Sequence, residues 1–171
     1  MTTTREVFYG ATSLVASFLL VMKCCCFGHR DVIVTQELHE KTKACIYKFI
    51  DEGCKTFLFG GFGDFDRLCY RIVTQLKNEL DDSIQRIFCV PQERYLRKSA
   101  HFFNRDDYDE TIYLMPRFEG WYKSIYYRNL AMIDECDFIL FYAEERENSG
   151  AYKAFKYARK LSQKTVINLA P

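Results

Sequence analysis

The chain has 171 residues, 49% of them hydrophobic, which is enough for one domain with a packed core and too short for two ordinary domains. Its 24 Lys and Arg residues balance 23 Asp and Glu residues, leaving a net charge of +1. A chain without a strong positive field is not expected to hold a nucleic-acid backbone, so duplex DNA or RNA is not the expected partner.

The amino terminus contains a nine-residue apolar stretch, residues 14–22. It is shorter than the ~20 residues needed to span a bilayer and has the length of a signal-peptide core. We predict that residues 1–21 are an appended or non-native leader and that one folded domain covers residues 22–171. A cleaved or membrane-associated leader is the alternative. No stable membrane insertion is expected.

The cysteines predict a reducing, cytoplasmic environment. Five of the eight lie within apolar patterns, as buried thiols do, namely Cys24, Cys25, Cys26, Cys69 and Cys89. His29 follows the first three, but adjacent side chains of a strand point to opposite faces and the chain has no CxxC pair. We therefore predict no metal site.

Apolar periodicity predicts an α/β protein. The predicted strands are residues 24–27, 56–59, 84–90, 138–142 and 165–169, and the predicted helices are residues 35–52, 65–80, 123–135 and 150–163. Alternation of strands and helices predicts a Rossmann-like, doubly wound parallel sheet of about five strands with helices on both faces. Residues 92–122 show little periodicity, and we interpret them as a long crossover that either covers a ligand or is a solvated loop.

Small or charged residues directly follow three of the predicted strands. The three segments are Gly28-His29-Arg30, Gly60-Gly61-Phe62-Gly63 with Asp64 and Asp66 behind it, and Asn148-Ser149-Gly150-Ala151. In a parallel sheet these turns meet at the carboxyl edge, where backbone N–H groups and helix amino termini bind anions. The arrangement predicts a site for a phosphate-bearing small molecule.

The glycine-rich segment has the composition of a phosphate-binding loop, because glycine lets the backbone approach a ligand closely. Asp66, however, occupies the position at which a dinucleotide-binding motif has its third glycine. Asp64 and Asp66 are interpreted as helix caps, with a ribose contact by Asp66 as the alternative. Arg30 offers a fork for phosphate, or pairs with Asp31 or Asp64.

Four blocks of sequence together resemble the SLOG superfamily. They are CCCFGHR, FLFGGFGDFD, YYRNLAMIDECDFILFY and NSGAYKAFKYARKLSQKTVINLA. This Rossmann-like group includes the LOG-type cytokinin phosphoribohydrolases, the DNA-processing SMF/DprA proteins and the small bacterial YpsA-like proteins. The sequence most resembles the YpsA-like proteins. The resemblance covers residues 22–171.

The resemblance implies a site at which the catalytic residues are incomplete. Arg128 matches an arginine that LOG enzymes use, Asn129 replaces the following lysine, and Ala154 stands where those enzymes carry a catalytic glutamate. Alanine can neither activate water nor stabilise a cationic transition state. From residue type alone, Arg128 is interpreted as lying on the solvated face of its helix.

The predicted function is therefore binding or sensing of a nucleotide or nucleotide-derived molecule, without a further cofactor. The predicted ligand-binding residues are Gly28, His29, Arg30, Gly60, Gly61, Gly63, Asp66, Arg128, Asn129, Ser149 and Gly150. The alternative is a nucleotide N-glycosidase that uses Asp64, Asp66 or a loop glutamate. DNA handling is disfavoured by the neutral charge.

The oligomeric state is left open by the sequence. Related proteins are often dimers, and the aromatic helix face at Tyr122, Tyr126 and Tyr127 is a candidate interface. Burial of these side chains in the monomer core is the alternative interpretation.

Overall fold

The computed structural model describes residues 21–114 and 120–171. The strands are β1 (Met22–Gly28), β2 (Cys54–Phe59), β3 (Gln85–Cys89), β4 (Glu110–Ile112), β5 (Phe138–Tyr142) and β6 (Thr165–Asn168). The helices are α1 (Gln36–Asp51), α2 (Asp64–Leu80), α3 (Trp121–Glu135) and α4 (Gly150–Ala158). No helix within these ranges is long and apolar enough to cross a membrane. The predicted leader lies outside the described residues except for Val21.

All neighbouring strands pair in parallel, in the order β4-β3-β2-β1-β5-β6. The chain moves outward on one side of β1 through β2, β3 and β4, then crosses back to place β5 on the other side. This reversal is the topological switch point of a doubly wound sheet, where ligands of open α/β folds bind. The predicted Rossmann-like fold is confirmed.

Two hydrophobic clusters cover the two faces of the sheet. One contains Ile46 and Phe49 of α1 with Leu68 and Ile72 of α2. The other contains residues of α3 and α4, among them Met132, Ile133, Ala154 and Ala158. Successive strand residues alternate between the clusters, as pleating requires.

The cysteine strand illustrates this alternation. Cys24 and Cys26 lie in the cluster with α1 and α2, whereas Cys25 lies in the cluster with α3 and α4. All three thiols are buried and reduced, as the sequence predicts. No group of side chains suited to a metal ion occurs among the described residues.

The sheet has a sixth strand where the sequence predicts about five. β4 is only three residues long, begins with Glu110 and pairs with β3 at the edge of the sheet. So short an edge strand leaves no apolar periodicity, which explains why the pattern missed it. The helix α4 is also shorter than predicted, because it ends at Ala158.

The crossover between β3 and α3 is packed, so its interpretation as a solvated loop is wrong for the residues described. The rings of Phe88 and Phe103 stack with centroids 4.1 Å apart. Phe102 stacks on Phe62 with centroids 5.3 Å apart. The crossover therefore covers the carboxyl end of β3 and supports the edge of the site through Phe62.

Candidate functional site

An open cleft of about 1020 Å³ lies at the switch point, beyond the carboxyl ends of β1, β2 and β5. Nine of the eleven predicted site residues line it: Gly28, His29, Arg30, Gly60, Asp66, Arg128, Asn129, Ser149 and Gly150. Gly61 lies in a separate groove of about 280 Å³ beside α2. Gly63 lies against the backbone of Arg30.

The glycine loop, residues 60–63, is closed by a carboxylate of the protein. The N–H groups of Gly60 and Gly61 donate to the two carboxylate oxygens of Asp66, at 3.2 and 3.0 Å. Asp66 is only 4% exposed. An internal carboxyl group thus occupies these two donors of the predicted phosphate cradle, and ligand binding by Gly61 stays a prediction.

The remaining glycines of this region allow close packing. Gly61 and Gly63 have φ values of 75° and 96°, which side-chain-bearing residues rarely adopt. A Cβ at Gly60 would lie 2.7 Å from Nη2 of Arg128, and a Cβ at Gly28 would clash with Phe65. Protein groups approach these positions so closely that a side chain would not fit there.

Arg128 is buried, 2% exposed, so its interpretation as a solvated helix residue is wrong. Its Nη1 donates to the carbonyl oxygens of Gly60 and Cys89, at 2.8 and 3.2 Å. Nε and Nη2 donate to Oδ1 of Asn129, at 3.2 and 2.9 Å. Arg128 therefore ties the ends of β2 and β3 together, and Asn129 orients it.

Asp66 and Arg128 form the charged floor of the cleft. Burial raises the pKa of Asp66 to about 7, helped by the Cys26 thiol and opposed by the Gly60 amide and Arg128. Burial also lowers the pKa of Arg128, while the nearby Asp66 acts in the opposite direction. The floor thus combines a buried carboxyl group, which accepts the amides of the glycine loop, with a buried guanidinium that donates to the carbonyl oxygen of Gly60.

His29 joins β1 to the α4 loop, residues 143–149. Its Nε2 accepts the N–H of Glu144 at 2.9 Å, and its Nδ1 lies 3.3 Å from Oγ of Ser149. Burial lowers the pKa of His29, and Arg146 adds to that effect. His29 is consequently a neutral side chain that links the end of β1 to the loop after β5 by hydrogen bonds, and it is not free for a ligand in this conformation.

The amino end of α4 opens into the cleft. Ser149 caps the helix by accepting the N–H of Tyr152 at 3.1 Å, and the first turn contains no acidic residue. The N–H groups of Gly150 and Ala151 have no acceptor within the helix. A Cβ at Gly150 would meet no atom within 4 Å. Within residues 21–114 and 120–171, no acceptor is found for these two N–H groups.

Three cations line the same cleft. Arg30, Lys123 and Lys153 are exposed, line the cleft and have no ion-pair partner among the residues the structure describes. Neither alternative partner of Arg30 is found, since the carboxylate of Asp31 pairs with Arg146 and that of Asp64 pairs with Arg67. Arg30 therefore remains available to a ligand.

Aromatic side chains also line the cleft, namely Phe62, Tyr122, Tyr126 and Tyr127. The three tyrosines are 80%, 40% and 41% exposed, so their interpretation as monomer core is wrong. Dimerisation through this face stays a prediction. The guanidinium of Arg128 lies 5.6 Å from the ring centre of Phe62.

The structure does not supply the missing catalytic carboxylate at the position that the family motif indicates. Ala154 is 1% exposed and belongs to the core beneath α4. Asp64 accepts the N–H of Val32 and pairs with Arg67 outside the cleft. Of the alternative carboxylates, Asp66 and the loop residue Glu147 line the cleft, and a catalytic role for either stays a prediction.

Sequence reasoning missed Arg146, Lys123 and Lys153. Arg146 follows β5 in the same way that Arg30 follows β1, so the rule that selected Arg30 could have selected Arg146 as well. The two lysines lie one turn inside their helices, where the sequence pattern alone gives them no distinction from other surface lysines.

Comparisons with known proteins support the fold. No family profile and no curated protein matches the chain. DNA processing protein A (DprA) from Streptococcus pneumoniae matches with a TM-score of 0.56 and 13% identity, covering 87% of this chain and 50% of that one. DNA processing protein A from Helicobacter pylori matches with a TM-score of 0.56 and 17% identity, covering 86% of this chain and 64% of that one.

This chain thus spans between half and two thirds of the length of its structural neighbours. The likeness places its fold with the Rossmann-like fold of the DprA proteins, and greater closeness to YpsA-like proteins stays a prediction. The Helicobacter structure is described as showing a single-stranded DNA binding mode. Neutral net charge is therefore a wrong ground for disfavouring a nucleic-acid partner, because local charge in a cleft can support such binding whatever the total. The sequence argument excluded duplex DNA or RNA, whereas the form named for this neighbour is single-stranded DNA.

Proposed function

We propose that the cleft binds a nucleotide, with its phosphate at the amino end of α4. The observation that carries the proposal is the capped end of α4, which opens into the cleft with unfilled amides and no acidic residue in its first turn. A helix amino terminus favours a phosphate through its N–H groups and its dipole. Arg30 and Lys153 supply positive charge beside it.

The phosphate is assigned to α4 rather than to the glycine loop because Asp66 already fills the donors of that loop. A phosphate brought against Gly60 and Gly61 would meet a buried carboxylate. At α4 it would meet the amides of Gly150 and Ala151 and no fixed anion of the helix. The two ends of the cleft thus differ in the charge that they accept.

The base is assigned to the aromatic wall. Phe62 and Tyr126 line the side of the cleft formed by the glycine loop and α3, and flat nucleobases stack on such rings. Tyr122 extends this wall outward. A ligand with a phosphate at one end and a planar aromatic group at the other matches this distribution.

Single-stranded DNA is the second candidate, favoured by the exposed tyrosines. Tyr122, Tyr126 and Tyr127 lie on one helix with Lys123 among them, and stacking rings interleaved with cations suit successive nucleotides. The fold neighbour from Helicobacter pylori adds support. Nucleotide hydrolysis through Asp66 is the enzymatic alternative, and the same experiment examines it.

The test is calorimetric titration of the full chain with AMP, adenosine, ADP-ribose and a twenty-nucleotide oligothymidylate. We expect AMP to bind more tightly than adenosine, and Lys153→Ala to weaken AMP binding about tenfold, as expected for a charge-assisted hydrogen bond. Lys160→Ala is the matched control, because this exposed lysine follows the other end of α4.

Each outcome separates the candidates. Tight oligothymidylate binding that falls steeply with salt, without AMP binding, would establish the DNA candidate instead. Release of adenine from AMP, followed by chromatography and lost in Asp66→Asn, would establish hydrolysis. If none of the four probes binds the folded protein, the proposal is wrong.

A further inference from the structure

Arg146 lies at the mouth of the cleft between two carboxylates. Its Nε and Nη2 donate to Oε2 of Glu144 at 2.9 and 2.5 Å, and its Nη1 lies 3.3 Å from Oδ1 of Asp31. Glu144 belongs to the α4 loop, as Arg146 does, whereas Asp31 belongs to the loop after β1. The guanidinium therefore bridges the two loops that border the switch point.

The two carboxylates hold Arg146 with different strength. Glu144 makes two short contacts, and its own N–H is fixed by Nε2 of His29. Asp31 makes one long contact, and its side chain is 85% exposed. Exposed ion pairs contribute little, because both groups are well solvated when apart. Glu144 thus orients the guanidinium, and the contact of Asp31 is readily exchanged.

Arg146 belongs to the same end of the cleft as the open helix terminus. The N–H of Ser149 donates to the carbonyl oxygen of Arg146 at 3.2 Å, which folds the loop back just before α4. Arg146, Asp31, Ser149 and Gly150 all line the cleft. An anion placed at the amides of Gly150 and Ala151 would therefore enter the region that Asp31 and Arg146 border.

We propose that Arg146 is a phosphate-binding residue of this cleft and that Asp31 is an internal competitor, whose carboxylate a ligand phosphate replaces on Nη1. The inference rests on the proposed function. A phosphate offers several oxygens to the planar fork and carries more charge than one carboxylate, so the exchange favours the ligand. The released Asp31 returns to water, where most of its side chain already lies.

The proposal predicts an increase in affinity when an acidic residue is neutralised. Asp31→Asn removes the competitor and one repulsive charge from the mouth of the cleft, and AMP should bind about two- to fivefold more tightly, the range of an exposed ion pair. Arg146→Ala should weaken AMP binding at least about tenfold, the lower range of a charged hydrogen bond. Arg146→Lys should restore only part of the loss, since lysine lacks the fork.

The experiment is calorimetric titration of AMP into the full-length wild type and these variants at about 50 mM and about 500 mM salt, where the Debye length falls several-fold. Asp51→Asn is the matched control, since this exposed aspartate changes net charge equally and ends α1, at the opposite edge of the sheet. We expect the gain of Asp31→Asn to shrink at high salt, and Asp51→Asn to resemble the wild type.

Equal gains for Asp31→Asn and Asp51→Asn would show a general charge effect and overturn the inference. The inference would also be overturned if Lys153→Ala weakens AMP binding while Asp31→Asn binds AMP as the wild type does. The proposed function would survive that result. Absence of AMP binding in the wild type and in Asp31→Asn would overturn the proposed function itself.

Discussion

The glycine loop and the α4 loop lie at the same edge of the sheet, and both bring backbone amides to the switch point, yet only one of them is open. In the glycine loop the carboxylate of Asp66 binds the amides of Gly60 and Gly61. The helix α4 follows the α4 loop, and its first amides, those of Gly150 and Ala151, lie at the cleft in a turn without an acidic residue, although Glu147 of the loop also lines the cleft. Backbone amides are therefore less available to a ligand anion where a carboxyl group of the protein already accepts them.

The largest expected effect concerns the closed loop. Asp66→Ala leaves the amides of Gly60 and Gly61 without their acceptor, so we expect a loss of about 2–5 kcal/mol in the free energy of unfolding. Asp64→Ala, two residues away, removes an exposed pair with Arg67 and one long hydrogen bond from the Val32 N–H, and it should destabilise the fold much less. Urea denaturation measures both values. Equal losses would contradict the distinction between the two carboxylates.

The next largest difference in stability is expected between alanine substitutions of Gly61 in the glycine loop and of Gly150 at the start of α4. At Gly61, with φ of 75°, a Cβ would clash with Phe88, and we expect a loss of about 1–3 kcal/mol. At Gly150, in the first turn of α4, a Cβ meets open space, and the substitution should stabilise the fold by about 0.4–1 kcal/mol. Thermal denaturation compares the pair, and a destabilising Gly150→Ala would show that the helix end is less open than described.

The cap of α4 should contribute less. Ser149→Ala removes the acceptor of the Tyr152 N–H and the partner of His29, and we expect a loss of about 1 kcal/mol. Thr35→Ala removes the corresponding cap of α1, whose Oγ1 accepts the N–H of Leu38 at 3.1 Å, and serves as the reference. Urea denaturation of both variants tests this, and a neutral Ser149→Ala would argue against the cap.

The smallest expected effect is a pH dependence of stability that comes from His29, which links the loop after β1 to the α4 loop. The folded protein lowers the pKa of His29, mainly by burial, so the unfolded chain binds that proton more readily. Stability from His29 is therefore present above about pH 6.5 and declines as the pH falls towards the lower pKa of the folded state. Thermal denaturation at pH 7.5 and 5.5 should show a larger drop for the wild type than for His29→Gln. Equal drops would contradict the neutral state of His29 in the folded protein.

The fold and the place of the site could be predicted because both depend on local pattern. Buried strands such as β5 and amphipathic helices such as α2 have apolar periods that can be read from the sequence, and their alternation predicts that the turns after the strands meet at the carboxyl edge. The switch point depends on the strand order, which only the structure shows. β4 could not be predicted, because a three-residue edge strand carries no period.

The chemistry of the site depended on contacts distant in sequence. The burial of Arg128 comes from the carbonyl oxygens of Gly60 and Cys89, which no local pattern connects with α3. The position of Asp66 in its helix is visible in the sequence, but its closure of the glycine loop requires the turn to fold back over it. Exposure of the tyrosines of α3 likewise depends on packing rather than on residue type.

The hydrogen bonds of His29 also determine whether the Ser149 hydroxyl donates or accepts. The amide of Glu144 can only donate, so Nε2 of His29 must be the unprotonated nitrogen and the ring proton resides on Nδ1. That proton points to Oγ of Ser149, which already accepts from Tyr152. With both lone pairs engaged, Ser149 retains its own hydrogen as the group to offer. A backbone amide of the α4 loop, acting through His29, thereby makes a serine of the same loop a donor, which suits an anionic ligand and disfavours a cationic one.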